Sequence, residues 1–483
     1  MRVLKFGGSS VATASRRATV AGIVRAAATD GPVAVVTSAL GGVTDALTQT
    51  INNALAGSPS PHLIDELAHR HVTEDDNTAV VIRQVLNELE ILLGGVGLLQ
   101  ECPPAVRHRI LAMGERLAVP LVVEALRQAD LPARAIDAAE LLTASPCGTP
   151  GVLDNEKSKQ RVRARLASDR QTVAVVPGFI ANDGRGGTIT LGRGASDLTA
   201  ALLGRYLEAE AVEIWTDVDG VLSGPPSHVA AAEPIPRLSY EEAANLAFFG
   251  AKVLHPETLA PVAEAGIPVH IRNTLRPSIR GTEVTGHTHS HEPRAVTVTG
   301  LGCQLTIRAP WDVRDLPSRA LDWLEQQGIR PWLIDRGSGG RTLTLVVAEE
   351  NADQVACHLG TCHTGQKIQR RDGVAVVAVI GGHGAHNASA VLDLLSKSDI
   401  EALTITAAAN PGEPAVALVD GAAAARTVAL LHQNLIREKT PAPSKTESQA
   451  GARTKPTGLR RPLLRRPLLR RPRRPPQPQP LLR

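Results

Sequence analysis

Residues 2–10 read Arg-Val-Leu-Lys-Phe-Gly-Gly-Ser-Ser, a short apolar strand carrying a lysine that runs straight into a Gly-Gly-Ser-Ser turn. Glycines at 7 and 8 let backbone N–H groups approach an anion with no Cβ in the way, and Lys5 sets a positive charge at the strand end where phosphates would collect. Taken alone the same stretch also fits an ordinary tight turn. The rest of the chain decides between these readings.

Working outward, the first half alternates aliphatic runs with helical patterns. Short buried strands are predicted over 33–38, 172–177, 210–216 and 268–272, and helices over 16–28, 107–127, 197–207 and 240–250. Such alternation calls for a layered α/β domain with a mainly parallel sheet. Ser239 followed three residues later by Glu242 is a capping-box signature for the helix at 240. A second pattern starts near Ala295: strand 296–307, helix 318–327, strands at 329–334 and 341–347, and a helix after Asn351. The same order returns about 71 residues later over 374–431. Within this repeat, Gly381-Gly382-His383-Gly384 follows a strand and precedes a helix, yet Asn387 stands where a dinucleotide fingerprint needs its third glycine, so the segment reads as a plain turn.

Seven motifs follow one another in order: Lys5-Phe6-Gly7-Gly8-Ser9-Ser10, Thr37-Ser38-Ala39-Leu40-Gly41-Gly42-Val43-Thr44, Met113-Gly114-Glu115-Arg116-Leu117, Gly178-Phe179-Ile180, Thr190-Leu191-Gly192-Arg193-Gly194-Ala195-Ser196-Asp197, Trp215-Thr216-Asp217-Val218-Asp219-Gly220, and Phe249-Gly250-Ala251-Lys252-Val253-Leu254-His255-Pro256. Together they resemble aspartate kinase over about residues 1–285, most closely the kinase half of the fused aspartate kinase and homoserine dehydrogenase enzymes. The resemblance implies an amino acid kinase domain over 1–290 and tandem α+β ACT domains over 295–439, while the frequent prolines and basic composition of 440–483 read as a disordered Pro/Arg-rich tail. Because the Gly381–Gly384 segment reads as a plain turn and not as a dinucleotide fingerprint, the dehydrogenase domain of the fused relatives is expected to be absent here.

The implied reaction moves the γ-phosphoryl of ATP, with Mg2+ held mainly through the nucleotide phosphates, onto the side-chain carboxylate of L-aspartate. A carboxylate is already a competent nucleophile, so the work is positioning and charge neutralisation. By resemblance Lys5 spans the phosphates and the reacting carboxylate, backed by Gly7, Gly8 and Ser9. Ser38 and Thr44 face the transferring group or substrate, with a helix N-cap as the alternative role for Ser38. Glu115 and Arg193 take the substrate's α-ammonium and α-carboxylate, and Ser196 lies on the same side. Asp197 organises Lys5 and the phosphates. The base and ribose sit against residues 215–220, with contacts from Thr216 and Asp217, and Lys252 is a second phosphate lysine. Where relatives place a tyrosine and, five residues on, an arginine, this chain has Leu222 and Ser227, and Ala195 replaces a glycine. Another acid-phosphorylating kinase of this fold and a regulatory protein without turnover remain alternatives. Pairing across ACT units implies a homo-oligomer with a possible amino-acid effector, although residues 309–315 lack the usual glycine-rich effector turn.

Composition bounds the remainder. At 483 residues the chain has room for several cores, and aromatic residues at 2 % make base stacking on a nucleic acid improbable. No apolar run reaches membrane-spanning length and the N-terminus lacks a signal pattern, so a cytoplasmic location is expected. Five cysteines at irregular spacing point to free thiols, and neither Cys357-His358 with Cys362-His363 nor the trio His287, His289 and His291 has structural-zinc spacing. Residues 440–483 carry ten Arg and two Lys against the single acid Glu447, so the preceding residues are net acidic although the chain totals +4.

Overall fold

The computed structural model describes residues 1–58, 61–144, 153–167, 169, 171–192, 194–251, 256–286, 292–308, 315–337, 342–362, 367–407 and 412–437. Residues 1–439 make one compact unit, and the tail expected over 440–483 lies outside the described residues.

The first half contains strands β1 (Arg2–Phe6), β2 (Val33–Thr37), β3 (Ala133–Ala135), β4 (Val173–Pro177), β5 (Ile180–Asn182), β6 (Thr188–Thr190), β7 (Ala211–Thr216), β8 (Arg237–Ser239), β9 (Val269–Asn273) and β10 (Thr282–Thr285). Its helices are α1 (Gly8–Val11), α2 (Ala14–Asp30), α3 (Val43–Leu55), α4 (Pro61–Arg70), α5 (Asp76–Leu99), α6 (Pro104–Gln128), α7 (Ala138–Leu141), α8 (Asn155–Leu166), α9 (Ala195–Leu207), α10 (Tyr240–Phe248) and α11 (Pro256–Glu264). Eight strands form one sheet in the order β3-β4-β2-β1-β7-β9-β10-β8, with β9–β10 its antiparallel pair and the other neighbours parallel. The strands are apolar on both faces because helices cover both. Val3, Ala34, Val36, Ala174 and Val176 enter one core, whereas Leu4, Phe6, Val33, Val35 and Val175 enter the other.

Helices α1, α3, α4, α5, α7, α8 and α11 are additional to those the sequence pattern marks, while the predicted helices are each found with ends shifted by a few residues. At α10 the capping box is complete: Glu242 N–H donates to Ser239 Oγ at 3.0 Å, and Ser239 N–H donates to Glu242 Oε2 at 2.8 Å. An N-cap of this kind contributes about 1 kcal/mol. It fixes where the chain leaves β8 and α10 starts.

The second half holds β11 (Ala295–Val298), β12 (Gly302–Arg308), α12 (Asp315–Gln326), β13 (Leu333–Arg336), β14 (Thr342–Ala348), α13 (Ala352–Cys362), β15 (Lys367–Ile380), α14 (Gly384–Lys397), β16 (Ala402–Ala407), β17 (Ala415–Asp420) and α15 (Gly421–His432). Here the sequence expectation needs correcting. The single strand expected over 296–307 is two strands, β11 and β12, which pair with different halves of β15. The chain switches partner at Thr299, whose N–H donates to Val376 O at 3.0 Å while its hydroxyl accepts from Val376 N–H at 3.1 Å. One α+β unit is therefore inserted between β11 and the remainder of the other unit. The 14-residue β15, turning at Gly373 (φ 70°), is the strand they share.

Residues after β15 behave as the sequence reading requires of a plain turn. Gly381 (φ 88°) and Gly382 (φ 71°) lead into α14, and β15 is antiparallel to β11, β12 and β17, so the parallel crossover of a dinucleotide fold is missing at this point.

Candidate active site

In a parallel sheet the loops leaving the carboxyl ends of neighbouring strands are crowded together, which is where ligands bind. Phe6, Thr37, Pro177 and Thr216 end β1, β2, β4 and β7, so the first, second, fourth and sixth of the sequence motifs converge without further contrivance.

Gly7 is not in an open turn as its sequence suggests; it is the N-cap of α1. A Cβ on Gly8 would stand 2.5 Å from Ala39 O and 2.9 Å from Gly41 N, and Gly41 N–H donates to Gly8 O at 3.1 Å. The two glycine loops are thus in backbone contact, a closeness no other residue permits at position 8. On the other side a Cβ at Gly178 would meet Ser196 Cβ at 2.5 Å, which locks the loop after β4 to the first turn of α9.

Lys5 points into this junction and pairs with Asp197 Oδ1 at 2.5 Å, both side chains largely buried. Helices α3 and α9 begin beside it, with Gly42 (φ 80°) and Gly194 (φ 67°) as N-caps. Neither cap supplies a side-chain hydrogen bond. Val43 N–H is taken by Leu40 O at 2.9 Å and Asp197 N–H by Gly194 O at 3.0 Å, while no side chain caps the remaining first-turn N–H groups, which with the positive ends of the helix dipoles suit an anion. Thr44 and Ser196, both partly buried, stand in these first turns. The N-cap of α3 is Gly42, which corrects the alternative role considered for Ser38; that residue instead donates its N–H to Phe6 O at 3.1 Å as β2 ends. Ala195, the first residue of α9, is not among the positive-φ residues, so replacing glycine there strains nothing.

Glu115 comes up from α6 beneath the same loops. Gly114 permits it: a Cβ there would lie 2.8 Å from Ala39 Cβ. One carboxylate oxygen, Oε1, accepts the Ala39 N–H at 3.2 Å, and Oε2 is buried with no hydrogen-bond partner among the described residues. Burial pushes the carboxyl up to about 7, against the opposing pull of the Ala39 N–H and the Lys5 charge. An acid held in this way needs a cation at Oε2 to stay ionised.

Some assignments shift. Trp215 cannot receive a base, because it is 2 % exposed, stacked on Phe6, capped by the Arg272 guanidinium at 4.8 Å, and bonded through Nε1–H to Glu213 at 2.9 Å. Thr216 and Asp217 bond to each other at 3.2 Å at the end of β7. A cavity of about 1050 Å³ opens past them, lined along this loop from Val218 onward and not by Thr216 or Asp217 themselves; its walls include Asp197, Gly220, Leu222, Ser227 and Phe248. Arg193 and Lys252 lie outside the described residues, as do His287, His289, His291, Cys147 and the tail, while Cys102, Cys303 and Cys357 are free thiols.

Sequence reasoning missed two supports. Ser10 and Thr274 hydroxyls bond at 2.7 Å across 264 residues, tying α1 to the strand end of β9. His108, on one face of α6 with Glu115, shares a hydrogen bond of 2.8 Å between its Nδ1 and the Thr190 hydroxyl and so anchors the segment leading to Gly192. Neither residue lies in a pattern that announces its partner.

Comparison with known proteins agrees with this geometry. Residues 1–273 match the model of the amino acid kinase family. Aspartokinase 1, chloroplastic, of Arabidopsis thaliana is 36 % identical over 296 residues, covering 59 % of this chain and 52 % of that protein. The bifunctional aspartokinase/homoserine dehydrogenase of Buchnera aphidicola is 30 % identical over 368 residues, 73 % of this chain and 45 % of that protein. The chain thus spans about half the length of these curated relatives. Among solved structures, E. coli aspartokinase III in complex with aspartate and ADP superposes with a TM-score of 0.77 at 27 % identity, covering 90 % of this chain and 99 % of that one. The same enzyme with lysine and aspartate gives 0.71 at 28 % identity, with the same coverage.

Proposed function

Because this chain belongs to the amino acid kinase family, we propose that it is an aspartate kinase, transferring the γ-phosphoryl of ATP to the side-chain carboxylate of L-aspartate to give 4-phospho-L-aspartate. The observation that carries this reading is Glu115. Its buried, unpartnered oxygen beside the Lys5–Asp197 pair asks for a ligand that is cationic at one end, while two uncapped helix N-termini ask for anions at the other. An amino acid with a free ammonium and an acidic side chain meets both demands. An N-acylated acid does not, since it would leave the Glu115 carboxylate uncompensated.

In the proposed reaction the aspartate ammonium sits on Glu115 and its α-carboxylate is gripped by Arg193, the role that resemblance gives that residue. The side-chain carboxylate then faces the phosphates at Lys5. It attacks phosphorus in line and ADP leaves, with no proton to move. Lys5, oriented by Asp197, neutralises charge that grows on the transferring group, and the N–H groups opening α3 and α9 do the same for its oxygens. Ser38, Thr44 and Ser196 line the acceptor side, whereas Gly7, Gly8, Ser9, Thr216, Asp217 and Lys252 serve the nucleotide. Among the described residues no cluster of three or more His, Cys, Asp or Glu side chains could cage a metal, and the carboxylates near Lys5 are Asp197 and the buried Glu115. That donor set fits Mg2+ carried by phosphates and water, which supplies charge neutralisation.

The C-terminal sheet, with β13 and β16 at its edges, is read as the regulatory unit through which copies pair and an amino-acid effector acts. E. coli aspartokinase III, solved with lysine, supports that reading. An ATP-coupled hydroxamate assay with aspartate, glutamate and N-acetylglutamate tests the assignment. Turnover confined to aspartate is expected, and turnover of the N-acylated acid would overturn it.

A further inference from the structure

The cavity beside Asp197 is not built by the kinase half alone. Its far wall comes from the C-terminal sheet: Val296 to Val298 of β11, then Thr299 and Gly300, and from the inserted unit Gly328, Arg330 and Trp332. The two halves are pressed together there, since a Cβ at Gly250 would come 2.2 Å from Val298 O. The C-terminal unit therefore walls this cavity directly.

The charge inventory of that cavity is lopsided. Among the described lining residues the carboxylates are Asp197 and Glu257, and the permanent cation is Arg330. Asp197 is already committed to Lys5. On the kinase wall Leu222 and Ser227 offer an aliphatic chain and a neutral hydroxyl. A polyphosphate entering such a space meets two acids and, from the lining itself, one guanidinium.

We propose that Arg330, carried by the C-terminal unit, is a nucleotide-binding residue of the kinase cavity, and that the Trp332 ring beside it forms part of the same binding wall. This rests on the reading of the cavity as the ATP site. Arg330 is free to act: its Nη2 pairs with Glu257 Oε1 at 2.7 Å, but the two side chains are 57 % and 49 % exposed, and an ion pair so open to water is held weakly. Exchange of one half-exposed carboxylate for phosphate oxygens costs little and gains a bidentate, doubly charge-assisted contact. Trp332 is held by its backbone N–H, which donates to Val346 O at 2.7 Å, and its ring packs against Gly302, so the wall is pre-formed. The consequence is that nucleotide affinity and the position of the inserted unit are linked: whatever moves β13 and the segment before it moves a nucleotide contact.

The test uses the full chain and two readouts, calorimetric Kd for Mg·ADP and separate KM values for ATP and aspartate. Arg330→Ala is expected to raise the ADP Kd and ATP KM about tenfold with the aspartate KM changed less than twofold, and Arg330→Lys to fall between. Glu257→Gln removes the competing carboxylate and is expected to tighten ADP binding. If Glu257→Gln instead weakens ADP as much as Arg330→Ala, the pair is only a structural tie and the proposal falls. Ser227→Trp fills the cavity from the kinase wall. If it weakens ADP while Arg330→Ala binds like wild type, Arg330 is no ligand; if neither variant changes a measurable ADP Kd, the cavity is not the ATP site. Matching near-UV circular dichroism confirms that each variant is folded.

Discussion

Replacing Glu115 by glutamine separates the physics of this site from its resemblance to anything else. The carboxyl is 4 % exposed and is pushed from 4.5 up to about 7, chiefly by burial. Between those two pH values the folded protein keeps a proton that the unfolded chain has released, so the native state binds more protons and stability falls as pH rises. The contribution is fully present below pH 4.5 and is lost by about pH 7. At about 1.4 kcal/mol per unit, the window amounts to about 3 kcal/mol. His71 acts in the opposite sense: burial lowers it to about 4, so stability is lost as pH falls from 6.5 toward 4. That term is common to both proteins and cancels in the difference. Urea unfolding of wild type and Glu115→Gln at half-unit steps from pH 5 to 8.5, without substrate, should therefore show the glutamine variant gaining about 3 kcal/mol relative to wild type toward high pH. The same ionisation governs substrate. An ammonium seated on Oε2 requires the carboxylate, which is mostly protonated at pH 6 and mostly ionised at pH 8, so aspartate should bind about tenfold more weakly at pH 6. The variant should bind aspartate poorly with no such dependence. Parallel stability curves for the two proteins would refute the buried-acid argument; a pH-independent aspartate Kd in wild type would refute the ammonium contact.

Lys5→Ala should lower kcat by 100-fold or more, about 3 kcal/mol of transition-state stabilisation, while ADP binding persists; wild-type turnover in a folded variant would remove Lys5 from the mechanism. Gly8→Ala forces a Cβ to within 2.5 Å of Ala39 O, so the loop after β2 must move. Kinase activity should collapse while the melting temperature drops by only a few degrees, and an active enzyme would show that the contact between the glycine loops is not needed. Arg193→Lys should raise the aspartate KM well above any change in the ATP KM, because a point charge cannot reproduce a two-bond grip, and steady-state kinetics with each substrate varied decides it. Leu222→Tyr with Ser227→Arg adds an aromatic face and a cation to the kinase wall of the cavity and should lower the ATP KM up to tenfold, with calorimetry of ADP as the check.

Much of the architecture is legible in the amino-acid sequence, and for local reasons. Unbroken aliphatic strands such as Val33–Thr37 and Val173–Pro177 can only be buried on both faces, which requires helices on both sides and a parallel sheet. Gly8, Gly178 and Gly194 mark where backbone must pass close to backbone or take φ > 0, and the capping box at Ser239 announces its helix. Other features are fixed by contacts between residues far apart in the chain, where no short pattern can report them. That Glu115 is buried with one oxygen unpaired depends on Ala39 and Gly114 meeting, and that Trp215 is walled off depends on Phe6 and Arg272. The break between β11 and β12 falls at Gly300-Leu301-Gly302, a turn signal that the reading of one strand over 296–307 passed over, whereas their pairing with different halves of β15 is set only by the fold. The sequence by itself thus determined the strand and helix types, the glycine positions and the charged residues available for chemistry. Tertiary structure alone decided which of those charges are desolvated and that the inserted unit walls the cavity, because desolvation and proximity belong to the packed whole and not to any segment of it.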